Sequence, residues 1–142
     1  MADPAIVVPD ASVLLKWVLQ ADDEPDHDQA MALRESWLEG ACELVVPTLW
    51  FYEVGNVLGR KRPATAAAML DAIADLGLTE AAPHRYLTAI VTLMAERGVT
   101  FYDAAYHALA IDLDGVMVTA DAAYARKARA AGHVTLLADW RP

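Results

Sequence analysis

Four acidic residues stand in or beside apolar chain. Asp10 follows the β-branched run Ile6-Val7-Val8 and Pro9, Glu53 lies between Tyr52 and Val54, Asp103 opens a largely apolar stretch, and Asp121 comes three residues after Val118. A carboxylate in apolar surroundings is costly unless it is paired, protonated or bound to a cation. Four converging on one cleft would repel one another, and a divalent cation would resolve that cost. An all-oxygen donor set suits Mg2+ or Mn2+. Taken singly, each acid also has a plainer role. Asp10 serves equally as the cap of a helix starting at Ala11, and Asp103 and Asp121 suit helix N-termini. Glu53 is harder to explain away, although Gly55, Asn56 and Arg60 share its segment and leave a solvated face open.

The neighbouring polar residues carry the same two readings. Ser12 suits a helix cap and stands close to Asp10. Lys16 suits an ion pair or a substrate phosphate. His107 lies four residues after Asp103, on one helix face, as a structural residue or as a base or ligand. His27, His84 and His133 have no spacing that makes a site, and Asp112 and Asp114 suit a turn. Cys42 reads as a small packed residue, Trp17, Trp37 and Trp50 as core, and Trp140 as an interface residue near the terminus.

The elements that must position these residues alternate short apolar runs with longer helical stretches, the pattern of a parallel α/β sheet. Strands are predicted at 6–8, 44–46, 78–80 (a short edge strand), 116–118 and 134–136. After the first strand a helix carries Val13, Leu14, Trp17 and Val18. A second, capped by Asp26 and stopped by Gly40, carries Ala30, Leu33, Trp37 and Leu38 inward. Further helices are predicted at 49–58, 63–76, 83–97, with Tyr86, Leu87, Ile90, Leu93 and Met94 on the inner side, 102–113 and 121–131. Parallel α/β sheets work just beyond the carboxyl ends of their strands, where Asp10 and Asp121 fall.

At 142 residues the chain has room for one domain, spanning 1–142, and no repeat or linker divides it. The hydrophobic share is 56%, above the usual 45–50% or so, so a well-filled core is expected. No apolar window approaches the ~18 residues of a membrane span, and no basic-then-apolar leader opens the chain, so a cytoplasmic location without membrane attachment is expected. The lone Cys42 rules out an internal disulfide framework and a cysteine-rich zinc site. Eleven Lys and Arg against twenty Asp and Glu give a net charge of −9, which argues against coating nucleic acid through a broad basic surface. It does not exclude a nuclease. The basic residues Arg60, Lys61, Arg62 and Arg126, Lys127, Arg129 are clustered, and local patches can steer an anion.

Four segments together resemble one family. Residues 8–17 (VPDASVLLKW) resemble the opening of a PIN domain, in particular of the VapC-type toxins of bacterial toxin–antitoxin pairs. Residues 47–58 (PTLWFYEVGNVL) resemble that family's second acidic motif, 102–110 (YDAAYHALA) its third, and Thr119-Ala120-Asp121 its fourth. The likeness runs from about Ile6 to Leu136, and the order and spacing of the four motifs make it specific. Pro9 departs from the β-branched residue common there.

The resemblance implies a three-layer α/β/α sandwich with a short parallel sheet and a metal-dependent endoribonuclease. It assigns Asp10, Glu53, Asp103 and Asp121 to a Mg2+ or Mn2+ ion and to catalysis, with Thr119 orienting an acid or a metal-bound water. The ion would lower the pKa of a water and neutralise the attacked phosphate, while a carboxylate oriented that water or took its proton. A family pattern of 5′-phosphate and 3′-hydroxyl products follows. The resemblance also implies RNA as substrate, a cognate antitoxin as partner and a homodimer, with an apolar surface around 49–58 contributing. Three alternatives stay open: an inactive PIN-like binding module, a receiver-type signalling domain, and a haloacid-dehalogenase-like phosphatase. A receiver needs a second acid beside the first and a Lys after the last strand. Here Ala11 follows Asp10, and no Lys follows 134–136. The phosphatase needs a second Asp where Ser12 stands.

Overall fold

The computed structural model describes residues 3–20, 22 and 24–142; Asp23 of the acidic loop read at 22–26 lies outside them. The elements run β1 (Ala5–Pro9), α1 (Ala11–Leu15), α2 (His27–Leu38), β2 (Cys42–Pro47), α3 (Trp50–Lys61), α4 (Ala66–Ala74), β3 (Thr79–Ala81), α5 (Leu87–Arg97), α6 (Phe101–Asp112), β4 (Val116–Thr119), α7 (Ala122–Ala128) and β5 (Val134–Leu136). The strands pair entirely in parallel in the order β3-β2-β1-β4-β5. Consecutive residues of the central strands, Val7 with Val8 and Met117 with Val118, are all buried. Successive side chains point to opposite faces, so both faces of the sheet are covered by helices, as a parallel sheet requires. The fold is therefore the α/β sandwich with a short parallel sheet expected from the sequence. Among the described residues, no helix is long and apolar enough to cross a membrane.

The strand order reverses at β1 and β4. β1 leads to β2 on one side, while β4 comes in on the other, and their ends meet at the pair Pro9–Val118. The Asp10 N–H extends that pairing, donating to the Val118 carbonyl at 3.1 Å. Chain direction thus delivers Asp10 from β1 and Thr119 and Asp121 from β4 to the same switch point, where α/β sheets bind ligands.

β1 and β4 come this close because residue 115 is glycine. A Cβ there would meet the Ile6 carbonyl oxygen at 2.5 Å, and backbone cannot swing aside as a flexible side chain can. Gly115→Ala is expected to destabilise the fold by about 1–3 kcal/mol, the range for overpacking, read as a lower midpoint in chemical denaturation. An unchanged midpoint would show that the two strands have slack.

Several boundaries and faces differ from the sequence expectation. Asp10, not Ser12, caps α1, its side chain accepting from the Val13 N–H. Asp26 sits at the start of α2 in the left-handed region at φ 59° and makes no side-chain cap bond. The helix read at 63–76 starts only at Ala66, and 83–97 divides into a 3₁₀ turn (Pro83–Tyr86) and α5. The helix read at 121–131 becomes α7 and a 3₁₀ turn (Arg129–Ala131). Tyr86, Ile90 and Leu93 point inward as expected, but Leu38, Leu87 and Met94 are exposed. Each of the three lies on the outer flank of its helix, where the apolar stripe is wider than the surface it packs against.

Candidate active site

Asp10 is held as a buried carboxylate with three donors. Its Oδ1 accepts from the Ser12 hydroxyl and from the Val13 N–H at 3.3 Å, and its Oδ2 from the Thr119 hydroxyl at 2.6 Å. Both hydroxyls in turn accept from the β4–α7 turn, Ser12 from the Ala120 N–H and Thr119 from the Asp121 N–H, each at 3.0 Å. The ends of β1 and β4 are therefore laced together through Asp10. The plain and the functional roles of this residue coincide: it caps α1, and it presents a carboxylate at the switch point.

The other acids arrive on helix starts. Thr100 caps α6 by accepting from the Asp103 N–H at 3.1 Å. Asp121 caps α7, accepting from the Tyr124 N–H at 3.0 Å. Glu53, in the first turn of α3, accepts at 2.6 Å from the hydroxyl of Tyr106, which stands one turn beyond Asp103 on α6. Asp103 and Asp121 line one cleft of about 140 Å3 together with Thr100, Tyr124 and Lys127.

The electrostatics join the four acids into one group. Burial pushes the Asp10 carboxyl up to about 6 from an ordinary 3.8, against the pull of Ser12, Thr119 and the Val13 amide, and Asp103 adds to the rise. Glu53 is raised by burial and by Asp103, with Tyr106 opposing. Asp103 is raised by burial and then by the charge of Asp121. Asp103 is thus within the field of each of the other three. Asp10, Glu53 and Asp103 favour a proton or a cation over standing ionised and alone.

Among the described residues, no three Asp, Glu, His or Cys side chains are gathered tightly enough to ligate one ion together. The carboxylates are instead turned to hydroxyl and amide donors. The donor set nevertheless fits a hard divalent cation. It is carboxylate only, it is partly desolvated, and Asp103 and Asp121 line the cleft. Asp10, Glu53, Asp103 and Asp121 are the residues that would hold such an ion. Larger hollows, of about 550 Å3 beside α5 and about 340 Å3 beside α7, are lined by none of the four.

The remaining candidates sort cleanly. Lys16 is buried in an ion pair with Glu24 at 2.8 Å, so it faces no substrate. His107 lies wholly buried behind the cleft. Its Nε2 donates to the Gly132 carbonyl at 2.7 Å, and its Nδ1 accepts from the Tyr124 hydroxyl at 2.8 Å. A carbonyl only accepts, so the proton must sit on Nε2. Burial lowers the His107 pKa first, with the Gly132 carbonyl opposing, so the ring is neutral. Tyr106 and Tyr124 were not singled out in the sequence; each lies three residues after a site acid, and that i, i+3 spacing is the signal that could have found them. Trp17 and Trp50 are buried, and Trp37 stacks on Trp17 at 6.3 Å.

An all-parallel sheet with carboxylates gathered at its switch point defines the class of site. A PIN domain family model matches residues 7–130, and the chain belongs to that family, a family of nucleases. No curated protein matches the chain in sequence. Among solved structures it is similar to PAE2754 from Pyrobaculum aerophilum, at 22% identity and TM-score 0.68, over 94% of this chain and 90% of that one. It is also similar to the sarcin–ricin-loop-cleaving toxin VapC20 of Mycobacterium tuberculosis, at 19% identity and TM-score 0.66, over 96% and 99%. A third is VapBC2 from Rickettsia felis, bound to a DNA fragment from its promoter, at 13% identity and TM-score 0.67, over 92% and 96%. Family membership replaces the receiver and phosphatase alternatives.

Proposed function

We propose that this protein is a divalent-metal-dependent endoribonuclease, the toxin of a toxin–antitoxin pair. The observation that carries the reading is the buried Asp10, pinned at the β1–β4 switch point in the field of Asp103, which is itself coupled to Glu53 and Asp121. A bound Mg2+ or Mn2+ would supply an acidified water and neutralisation of the attacked phosphate. Asp10, Asp103, Asp121 and Glu53 would hold it. The chain's own groups do the rest. Thr119 and Ser12 fix the Asp10 carboxylate, and the Asp10 amide ties it to β4. Tyr106 holds one Glu53 oxygen. The Asp103 carboxyl, lining the cleft beside Asp121, is the group best placed to orient the water or take its proton.

The VapC likeness and two exposed apolar features support partners. Phe51 and Tyr52 stand exposed next to Glu53, and Leu87, Val91 and Met94 form an exposed stripe along α5. Patches of this kind mark interaction surfaces, in keeping with an antitoxin and a second copy of the chain. A basic antitoxin side chain entering the acids would compete with the ion. This reading places the protein in the cytoplasm.

The test is cleavage of RNA by the purified protein with Mg2+, with Mn2+ and with a chelator, the product ends being mapped. Cleavage that needs the ion and leaves 5′-phosphate ends supports the reading. Ion-independent cleavage leaving 2′,3′-cyclic ends overturns it. No cleavage of any RNA, with Asp10→Asn as inert as the wild type, would favour the binding module.

A further inference from the structure

Asp103 and Asp121 ride on different helices that share α5 and β4 as neighbours. α6 packs on α5, β1, β2 and β4, whereas α7 packs on α5, β4 and β5. Among the described residues, the bond between His107 and Tyr124 is the one hydrogen bond, and no ion pair exists, that joins α6 to α7 directly. Each partner is registered to an acid. His107 lies one turn beyond Asp103 on α6, and the Tyr124 N–H bonds the Asp121 carboxylate at 3.0 Å. The far nitrogen of His107 is anchored on the Gly132 carbonyl in the turn that leads into β5. The result is a continuous hydrogen-bonded chain from Gly132 through the buried His107 and Tyr124 to Asp121.

The polarity of this chain is fixed throughout. Gly132 only accepts, so Nε2 donates and Nδ1 accepts, and the Tyr124 hydroxyl must donate. The ring edges meet in a T-shaped contact at 5.7 Å, which sets the approach of the two side chains. His107 has no exposed surface, so water cannot replace a lost partner. The pair is also placed to sense the cleft, since Tyr124 lines it together with Asp103 and Asp121.

We propose that His107 and Tyr124 are positioning residues, a strut that holds Asp103 and Asp121 at the spacing their common ion needs. The inference rests on the metal-dependent nuclease reading and deepens it. Neither residue touches the reacting atoms. The strut acts by keeping α7 from pivoting on its short contact with β4, which would separate Asp121 from Asp103 without unfolding the domain.

The test compares Tyr124→Phe, His107→Leu and His107→Gln with the wild type. Mn2+ binding is read from the EPR signal of free Mn2+, cleavage from single-turnover and steady-state rates, and integrity from circular dichroism and thermal melts. Tyr124→Phe removes one hydroxyl, and His107→Leu removes both bonds. Each should weaken Mn2+ binding and lower kcat by about 10–100-fold, the usual effect of losing a partner behind a metal ligand, while KM for RNA stays put. Gln spaces an acceptor and a donor much as imidazole does, so His107→Gln should bind Mn2+ and turn over close to the wild type. If His107→Leu does not fold, Tyr124→Phe carries the test. Wild-type Mn2+ affinity and kcat in Tyr124→Phe, or a His107→Gln as impaired as His107→Leu, would overturn the strut. Asp10→Asn separates the two levels. If it cleaves like the wild type, the nuclease reading of these acids fails; if it is inert while Tyr124→Phe is fully active, only the strut fails.

Discussion

Asp10→Asn is expected to lose RNA cleavage by about 10²–10⁴-fold, the range for removing a group that handles charge or protons at a reacting centre, and to gain stability in the absence of metal. The two effects have one cause. The Asp10 carboxyl is raised from 3.8 to about 6 by burial. A carboxyl with a higher pKa folded than unfolded weakens the fold wherever it is ionised, above about pH 6. That penalty lifts as the pH falls through 6 toward 3.8, because the native state then binds the extra proton. A shift of about two units corresponds to about 3 kcal/mol. Asn removes the charge but sets its amide against the Thr119 hydroxyl, which now donates to Oδ2 at 2.6 Å. That lost hydrogen bond takes back about 1 kcal/mol. A net gain of about 1–2 kcal/mol raises Tm by a few degrees at pH 7.5 for a domain this size. The gap should close by about pH 4, where both side chains are neutral. With saturating Mn2+ the order should invert, since only the wild type gains from the ion. A mutant less stable than the wild type in chelator at pH 7.5 would show that Asp10 is held for the structure and not for the ion.

How much of this was legible in the sequence depends on the range of the interaction. Asp10 after a β-branched run, and Asp121 shortly after another, identify strand ends from local pattern alone. The parallel order then follows from alternation of strands and helices. The order of the four motifs carries the rest of the acidic set. Local pattern could not settle what each hydroxyl does. Ser12 read as a cap, yet Asp10 caps α1 and Ser12 spans to Ala120, a contact between residues 108 apart. The same holds for Tyr106 with Glu53, 53 residues apart, and for His107 with Tyr124, 17 apart. A polar residue at i+3 or i+4 from an acid has a definite face, but its partner is set by how two helices dock. The misplaced Leu38, Leu87 and Met94 mark the other limit. Periodicity defines an apolar stripe, while the width of the surface beneath it decides how much of the stripe is covered.

Metal binding should carry the same proton. An ion needs Asp10 ionised, so below about pH 6 it must displace a proton, and its apparent affinity should fall about tenfold per pH unit for each proton released. Glu53 and Asp103 are raised in the same direction by burial, and by the charge of Asp103 and of Asp121 respectively, which steepens the fall rather than offsetting it. At pH 7.5, Mn2+ at about a hundred times its Kd should add about 2.7 kcal/mol of stability; at pH 5 the same concentration should add far less. Single-turnover cleavage should show an acid limb in the same range, because the rate follows the ion-competent form. The sign is opposite to that of the metal-free protein, in which lowering the pH through 6 relieves the strain of the clustered acids. In chelator the melt should therefore hold or rise from pH 7.5 toward 5, and in Mn2+ it should fall, so the two curves converge. Thermal melts at fixed Mn2+ and in chelator across that range decide it. A Mn2+-induced rise of equal size at pH 5 and 7.5 would mean that the ion does not bind through Asp10.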